Sequence, residues 1–487
     1  MKKKHLHTVN LCCRPNSQVG GRMEATMEIM TLANIAKACG GRLFPDDASQ
    51  KEASGLVMDS RLVQSDNIFL ASVGERVDGH NFIDEVFEKG ALAVICEKAP
   101  IHSEGPYILV DDSLQALKDI AAWYRSQLSV KVVGITGSVG KTSTKEFISS
   151  VLARKYKVLK TEGNYNNEIG LPLTILKITG EHEVAVLEMG INHFGEMHRL
   201  SKMAQPDICV ITNIGQCHLE NLGSRQGILK AKSEIFDFMR EDGRVCINGD
   251  DDMLATLKEI KGKKPVRFGL HQGNDIIATD IVNKGLFGSS CNIYTGDQAF
   301  TVEVPLPGSH MILNALAATA VGTLLDVAGD QIIEGIKAVK PVGGRSNIIR
   351  HESYTVIDDC YNANPLSMKA ALDLLSMADT RKVALLGDMG ELGANEAELH
   401  TNVGKYAVSS GVDLLVCVGK LSQHMFEGAT ATREKNTASL AGQQEILYFE
   451  TRDALINSLP DILMQNDTVL VKASHFMGFE QVVSAIH

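Results

Sequence analysis

The sequence has no long run of apolar residues. None of its uninterrupted apolar stretches approaches the roughly 18 residues that a helix needs to span a bilayer, so we expect no membrane association. The basic start MKKKHLH is followed by LCCRPNSQ, which lacks the apolar core of a secretory signal. We therefore predict a cytoplasmic protein in which residues 1–26 form a disordered extension.

Paired cysteines and an excess of positive charge are also missing. The 10 cysteines include no Cys-x-x-Cys pair, and several of them lie in apolar runs, which indicates a reduced chain. The formal net charge of −11 argues against nucleic acid as a partner. An anionic ligand would have to be held by local cations, helix N-termini or a metal ion.

The chain is too long for one ordinary core. Short apolar runs alternate with helical stretches along most of its 487 residues, which predicts an α/β fold with three domains. We place a small α/β domain at residues 27–115, a central domain with a mainly parallel sheet at 116–340 and a Rossmann-like domain at 341–487. In parallel sheets ligands bind beyond the carboxyl ends of the strands, so we expect the chemistry there.

The most informative motif is a glycine-rich segment between a predicted strand at 130–135 and a predicted helix at 144–156. Such a loop lets backbone N–H groups surround phosphate oxygens. Its lysine places a positive charge beside the phosphates, and its threonine hydroxyl can bind magnesium. The pattern predicts a nucleoside triphosphate site, although Ile135 stands where the general pattern has its first glycine. The predicted loop comprises Thr136, Gly137, Ser138, Val139, Gly140, Lys141, Thr142 and Ser143.

Two further strands of the central domain end in polar residues. Glu188 ends the predicted strand 184–189, where a buried carboxylate needs a cation that magnesium could supply. The alternative for Glu188 is a position facing water. His218 follows the predicted strand 208–214, and its imidazole could complete a metal site or be structural.

A helix predicted at 228–236 carries Lys230 and Lys232 beside a packed apolar face. On the sequence alone both lysines are best interpreted as solvated cations.

Polar residues of the second half of the chain suit contacts with a nucleotide. Asn314 follows a predicted helix start and could contact a base. Arg345 and Asp359 lie near the start of the third domain, where a guanidinium can clamp a γ-phosphate during transfer.

Together these motifs resemble the Mur ligase family, the ATP-dependent amide ligases of cell-wall precursor synthesis, from about residue 28 onward. The segments 161–172, 218–223, 359–365 and 385–393 are similar to the branch that adds D-alanyl-D-alanine to UDP-N-acetylmuramoyl-tripeptide. The resemblance implies an ATP-dependent carbon–nitrogen ligase that works through an acyl phosphate. Its partners would be these small-molecule substrates, and we expect a monomer.

The resemblance also implies roles for the central residues. Lys232 would carry a carbamate, which turns a cation into an anionic oxygen ligand and reverses the interpretation as a solvated lysine. Thr142 and Glu188 would hold the magnesium bound to ATP. Glu188, His218 and carbamylated Lys232 would hold a second magnesium, and Lys141 would complete the catalytic set.

Substrate contacts follow from the same resemblance. Asn314, Arg345 and Asp359 fall at nucleotide-contacting positions, and the first domain would bind the UDP-sugar peptide. The implied substrate-binding residues are Ser60, Arg61 and His80 for the uridine diphosphate, Asn164, Asn166 and Asn167 in the segment 161–172 of the central domain, and Asn362 and Asn364 facing the dipeptide.

The chain departs from the expected family pattern at two places. His475 stands where an arginine is expected after Lys472, which puts a substrate-carboxylate role there in doubt. Met311 replaces an expected asparagine after His310 in the adenine loop.

Three other functions share many of these residues. A diamino-acid ligase and a folyl-polyglutamate synthetase would carry the same phosphate loop, and a regulatory nucleotide-binding protein could keep the fold without turnover. A diamino-acid ligase should carry an Asp-Asn-Pro-Arg motif, whereas residues 362–365 read Asn-Ala-Asn-Pro. The intact Lys141, Glu188, His218 and Lys232 argue against loss of turnover.

Overall fold

The computed structural model describes residues 30–102, 105–435 and 444–486, so the extension predicted at 1–26 lies outside the described residues. The strands of the described chain are β1 Arg42–Phe44, β2 Gly55–Val57, β3 Asn67–Leu70, β4 Ala93–Cys96, β5 Tyr107–Leu109, β6 Lys131–Thr136, β7 Val158–Lys160, β8 Val184–Glu188, β9 Ile208–Ile211, β10 Arg244–Asn248, β11 Val266–Gly269, β12 Ile276–Asn283, β13 Ser289–Tyr294, β14 Ala299–Val304, β15 Asn347–Arg350, β16 Tyr354–Asp358, β17 Lys382–Gly387, β18 Leu414–Val418, β19 Glu445–Phe449 and β20 Asp467–Lys472. The α-helices are α1 Leu32–Cys39, α2 Ile83–Glu88, α3 Ser113–Gln127, α4 Lys141–Leu152, α5 Gly170–Ile175, α6 Glu196–Ala204, α7 Leu219–Leu222, α8 Arg225–Ser233, α9 Ser309–Leu324, α10 Gly329–Lys337, α11 Pro365–Ser376, α12 Glu396–Ser409, α13 Ser422–Lys435, α14 Arg452–Ile462 and α15 Glu480–Ala485.

The first of two compact units holds the described residues up to Ser129 together with 162–182. Its five-stranded sheet has the order β1-β5-β4-β3-β2, in which β1 is antiparallel to β5 and the other pairs are parallel. All residues of β3 and β4 are buried, as expected of strands covered on both faces. The Tyr124 hydroxyl of α3 donates a 2.6 Å hydrogen bond to the carbonyl of Ile178 and so ties the segment 162–182 to this unit.

The second unit holds residues 130–161 together with the described residues from 183 onward. Its first sheet has nine strands in the order β14-β13-β12-β11-β10-β9-β6-β8-β7. The pairs from β12 to β7 are parallel, and β12, β13 and β14 form an antiparallel extension. Helices α4 and α9 bury Phe147 and Leu316 against this sheet, which fixes the start of α4 relative to the carboxyl end of β6.

The other sheet of this unit has six strands in the order β15-β16-β20-β17-β18-β19. All pairs except β15 with β16 are parallel, and buried apolar clusters cover both faces of the sheet. This pattern is the one expected of a Rossmann-like domain.

The predicted α/β fold with three sheet-containing regions is confirmed. Among the described residues, no helix combines the length and the apolarity that crossing a bilayer would require. The domain boundaries given above stay predictions.

Candidate active site

The glycine-rich loop joins β6 to α4, as the sequence predicts. Gly137 has a φ of 154°, and a Cβ added there would lie 1.9 Å from Thr212 Oγ1. Gly140 has a φ of 81° and immediately precedes α4. A side chain at 137 would therefore clash with Thr212, and the left-handed φ at 140 favours glycine, so the loop that ends at this helix N-terminus has a backbone path suited to phosphate.

The two residues directly after β9 form hydrogen bonds with the loop. Thr212 Oγ1 and Asn213 Nδ2 donate hydrogen bonds of 2.7 Å and 3.0 Å to the carbonyl of Val139. The Val139 amide donates in turn to Asn213 Oδ1 at 3.0 Å. The sequence analysis missed Thr212 and Asn213, although their place directly after a buried strand beside β6 was the signal that could have identified them.

Strand pairing brings Glu188 to the same edge of the sheet as the loop. In the pairing of β6 with β8, Glu188 stands opposite Ile135, one residue before Thr136. Its side chain is 1% exposed, so the alternative of a glutamate facing water is wrong. Its backbone amide donates a 2.9 Å hydrogen bond to Thr161 Oγ1.

Lys141 begins α4 and folds back over the loop. Its Nζ donates a 3.0 Å hydrogen bond to the carbonyl of Gly137. Burial lowers the pKa of Lys141, and the nearby Glu188 opposes that shift. Thr142, in the first turn of α4, is buried. The structure thus places the lysine near the carboxylate at the strand end, with the buried threonine next to it in the helix.

The prediction from the sequence alone that Lys232 is solvated is wrong. It lies at the end of α8 and is 1% exposed, whereas Lys230 on the same helix is exposed. The physical reason is that α8 is followed directly by a tight turn, whose residues Ile235 and Phe236 are buried together with Lys232. Burial is the main cause that lowers the pKa of Lys232 to about 8, and the charge of Lys141 contributes to this shift.

His218 lies between β9 and α7 and interacts electrostatically with Lys232 and Lys141. Its Nδ1 is hydrogen-bonded to the carboxylate of Glu391, a residue of the loop after β17. Burial lowers the pKa of His218, and the hydrogen bond to Glu391 opposes this shift. The sequence analysis had not singled out Glu391.

Among the described residues, no three His, Cys, Asp or Glu side chains are grouped so that they could hold a metal ion. Glu188 and His218 therefore need a further ligand if they are to share one. A lysine amine is not a magnesium ligand, whereas a carbamate on Lys232 would supply an anionic oxygen as a third ligand. With that modification the donor chemistry of these three residues fits magnesium.

The guanidinium of Arg345 stacks on an aromatic ring. Its Cζ lies 3.8 Å from the centroid of the Tyr361 ring, and the His475 ring stacks on Tyr361 with centroids 5.6 Å apart. Arg345 also interacts electrostatically with Lys141, which places it toward the phosphate loop. His475, which stands where an arginine was expected, thus packs against the same tyrosine ring as Arg345.

Asn314 is engaged within the fold. Its Oδ1 accepts a 2.8 Å hydrogen bond from Thr144 Oγ1 of α4, and its Nδ2 lies 3.4 Å from the sulfur of Met311. The unexpected Met311 is therefore a packing partner of Asn314. The predicted contact of Asn314 with a base stays a prediction.

Asp359 pairs with a buried lysine. Lys472 Nζ at the end of β20 donates to Asp359 Oδ2 at 2.6 Å and to the carbonyl of Asn362 at 2.9 Å. The other oxygen of Asp359 accepts from the Ser346 amide at 2.9 Å. Asp359 therefore links the segment that carries Arg345 to the end of a central strand.

Replacing Lys472 with methionine should lower the free energy of unfolding by about 2 kcal/mol, because the largely buried Asp359 carboxylate would lose its cation. Urea denaturation measures this change. The matched control is Lys420→Met, an exposed lysine after β18, which should stay within about 0.5 kcal/mol of the unmodified protein. Equal stability of the two variants would contradict the pairing.

Asn364 caps a helix. Its side chain accepts a 2.9 Å hydrogen bond from the Ser367 amide at the start of α11, and Pro365 occupies the first helical position. Asn362 is exposed, and its Oδ1 accepts from the Ala363 amide at 2.8 Å. Capping explains Asn364 without a ligand, so its predicted contact with a dipeptide stays a prediction.

Two adjoining clefts lie beside His218 in the second unit. The larger, of about 450 Å³, lies between α7 and residues 392–395, and the smaller, of about 300 Å³, lies between the start of α11 and α12. Gln216 and Asn395 line both clefts, so the two clefts are neighbours.

The candidate residues of the first unit are held by local contacts. Arg61 makes a two-pronged ion pair with Asp59 at 2.8 Å and 2.6 Å, with a side chain that is 72% exposed. The ring nitrogens of His80 bond to Asp78 Oδ1 at 2.7 Å and to the Glu97 amide at 3.0 Å. The carbonyl of Ser60 accepts from Lys89 at 3.0 Å. The Arg61 guanidinium is thus the accessible cation of this group.

The asparagine loop before α5 is also in the first unit. Asn167 Oδ1 accepts from the amides of Ile169 and Gly170 at 3.1 Å and 2.9 Å, and so begins α5. The Asn164 carbonyl accepts from the Asn166 amide at 2.7 Å. Their predicted role in substrate binding stays a prediction.

Comparison with known proteins gives matches along most of the chain. Residues 52–125 match the Mur ligase family catalytic domain, residues 135–322 the Mur ligase middle domain, and residues 344–475 the Mur ligase glutamate ligase domain. The UDP-N-acetylmuramoyl-tripeptide--D-alanyl-D-alanine ligase of Bacillus subtilis is 37% identical over 93% of this chain and 97% of its own length.

Solved structures agree with these matches. A crystal structure of MurF from Acinetobacter baumannii has a TM-score of 0.84 and 34% identity, covering 93% of this chain and 98% of that chain. The MurF ligase of Thermotoga maritima in complex with ADP has a TM-score of 0.76 and 30% identity, covering 88% of this chain and 96% of that chain. The predicted resemblance is confirmed, and the chain belongs to the Mur ligase family of ATP-dependent ligases, with MurF ligases as its matched relatives.

Proposed function

We propose that this chain joins D-alanyl-D-alanine to UDP-N-acetylmuramoyl-tripeptide with cleavage of ATP to ADP and phosphate, in the cytoplasmic synthesis of peptidoglycan precursors. The observation that carries the proposal is the buried Lys232, which interacts electrostatically with the phosphate-loop Lys141. Lys141 is in turn the neighbour of Glu188 and Arg345. A buried lysine among cations is costly, and its conversion to a carbamate would remove that cost.

The phosphates of ATP bind in this proposal at the loop between β6 and α4. The amides that precede α4 and the charge of Lys141 suit the β- and γ-phosphates. Arg345, held against Tyr361 by stacking, suits the γ-phosphate. Asn314 and Asp359 lie on the elements that surround the loop, and we place the nucleotide against them.

Two magnesium ions complete the site. Thr142 and Glu188 would hold the ion that binds with ATP, and Glu188, His218 and the Lys232 carbamate would hold the second. Bound magnesium would neutralise charge on the phosphoryl and carboxylate oxygens. The lowered pKa of Lys232 leaves a substantial neutral fraction of its amine near neutral pH, and the neutral amine is the form that reacts with carbon dioxide.

The reaction has two steps. The terminal carboxylate of the tripeptide attacks the γ-phosphorus, and the bond to the bridging oxygen breaks to give ADP and an acyl phosphate. Lys141 and Arg345 stabilise the negative charge that shifts onto the bridging and terminal oxygens. The amine of the dipeptide then attacks the acyl carbon, loses a proton and displaces inorganic phosphate. No covalent bond to the protein is required.

The substrates occupy different parts of the chain. We place the uridine diphosphate at Ser60, Arg61 and His80, where the exposed guanidinium of Arg61 suits a diphosphate. Asn164, Asn166 and Asn167 contact the sugar-peptide substrate in this proposal, and Asn362 and Asn364 face the dipeptide beside the clefts near His218. In this proposal the three domains span residues 27–115, 116–340 and 341–487, and the chain acts as a monomer.

Phosphate release from MgATP with UDP-N-acetylmuramoyl-tripeptide, measured with and without D-alanyl-D-alanine, tests the proposal. We expect release to depend on the dipeptide and the product mass to be that of the pentapeptide, with either lysine or diaminopimelate as third residue. Release that depends on a diamino acid with a dipeptide precursor would indicate the sister ligase instead. An absence of turnover with every substrate would indicate a nucleotide-binding protein without ligase activity.

A further inference from the structure

A carboxylate from the C-terminal sheet contacts the imidazole of the central sheet. Glu391, in the loop 388–393 after β17, is hydrogen-bonded to Nδ1 of His218, which follows β9. The two residues are 173 positions apart in the chain. The contact therefore forms only when the carboxyl ends of the two sheets meet.

Both residues of this pair have unusual backbone angles. His218 has a φ of 52° and Glu391 a φ of 59°, in the left-handed region that residues with side chains rarely adopt. Such an angle is unfavourable and persists only where the surrounding structure enforces it. Two amides of α7 bond to the His218 carbonyl, and the neighbours Met389 and Leu392 of Glu391 are buried. The pair is thus held in one geometry from both sides.

The loop that carries Glu391 is anchored on its own sheet and packed on the other. The Gly390 amide donates a 2.9 Å hydrogen bond to Ser474 Oγ, just beyond β20. A Cβ added to Gly393 would lie 3.3 Å from the Cα of Glu220 in α7, so the loop backbone rests directly on that helix. Glu391 therefore reaches His218 from a loop with little freedom to shift.

The chemistry of the pair determines where the proton of the imidazole lies. An ionised carboxylate can only accept a hydrogen bond, so Nδ1 of His218 donates to Glu391. A neutral imidazole protonated at Nδ1 has its lone pair on Nε2, which is the arrangement of metal-binding histidines that donate their other N–H to a carboxylate.

We infer that Glu391 is a positioning residue that holds His218 as the Nδ1–H tautomer and leaves Nε2 for magnesium, so that docking of the C-terminal sheet completes the metal site. This inference rests on the proposed role of His218 as a metal ligand. It assigns to the segment 385–393 a function in metal binding, through a side chain that does not itself touch the metal. Metal affinity then depends on residues of both sheets.

Titration of the full-length protein with Mn²⁺, followed by the electron paramagnetic resonance signal of free Mn²⁺ without nucleotide, tests the inference. Glu391→Ala should weaken Mn²⁺ binding by about 10- to 100-fold. Glu391→Gln should weaken it less, because its amide oxygen still accepts from Nδ1. The matched control Glu220→Gln removes the same charge from an exposed residue of α7, the helix that follows His218, and should bind within about twofold of the unmodified protein.

A second measurement needs no metal. Nitrogen-15 resonances of histidine report the tautomer, and the His218 signal is identified by its loss in His218→Ala. We expect the unmodified protein to show the Nδ1–H form at His218 and Glu391→Ala to show a mixture of both neutral forms. Melting temperatures establish that each variant is folded.

Several results would overturn the inference. If Glu391→Ala binds Mn²⁺ normally and keeps the Nδ1–H form while His218→Ala binds weakly, Glu391 has no positioning role and the proposed metal site stands. If Glu220→Gln loses as much affinity as Glu391→Ala, the effect is one of charge alone. If His218→Ala also binds normally, the proposed metal site is wrong and this inference is wrong with it.

Discussion

Replacing Lys232 with alanine should lower the turnover rate on the order of 1000-fold. The reason is that the proposed carbamate adds a second anionic oxygen to the carboxylate of Glu188 and the imidazole of His218, and alanine cannot carry a carbamate. Phosphate release with both substrates present measures the loss. A carbon-13 carbamate resonance, obtained by incubating the unmodified protein with labelled bicarbonate, should be absent from the variant.

The control for this variant lies on the same helix. Lys230 is exposed, so Lys230→Ala should keep the turnover rate within about twofold. Short carboxylates such as acetate or propionate should restore part of the activity of Lys232→Ala by filling the space of the missing side chain. Full activity of a folded Lys232→Ala would remove the carbamate from the mechanism.

Replacing Gly137 with alanine should weaken ATP binding at least about 100-fold. The added Cβ would lie 1.9 Å from Thr212 Oγ1 and 3.2 Å from the Thr212 amide, and φ at this residue is 154°. Because Thr212 Oγ1 also donates a hydrogen bond to the Val139 carbonyl, relief of this clash would displace Thr212 and the loop together. Calorimetric titration with a non-hydrolysable ATP analogue and magnesium measures the affinity.

Gly343→Ala is the matched control, since nothing lies within 4 Å of a Cβ placed there and no left-handed φ is required. Its ATP affinity should be unchanged. If folded Gly137→Ala binds the analogue as tightly as Gly343→Ala, phosphate does not bind at this loop.

The parts of the site that the sequence predicts are those determined by local pattern. Lys141 and Thr142 follow an apolar strand and open a helix, and that order alone predicts their place beside phosphate. Glu188 could be placed because it ends an apolar run, and strands of a parallel sheet meet at their carboxyl ends. Local periodicity and topology were sufficient for these residues.

Other parts depend on contacts between distant segments. The burial of Lys232 results from how α8 and the turn after it pack, which the short amphipathic pattern does not specify. The pairing of Asp359 with Lys472 joins residues 113 positions apart, and the contact of Glu391 with His218 joins two sheets. No local pattern carries such pairings, since they arise only when the sheets are assembled.

The position of β20 in its sheet determines when the C-terminal region can fold. This strand lies between β16 and β17, and its residues from Thr468 to Val471 pair with both. During synthesis, at about 5–20 residues per second, β16 and β17 leave the ribosome well before the strand that must separate them. In the nine-stranded sheet the last strand, β14, lies at an edge, so no pairing between its other strands waits for it. After β17 has emerged and before β20 is made, the nascent chain would therefore present a complete nine-stranded sheet joined to an open one, with the edges of β16 and β17 available to chaperones or to other nascent chains.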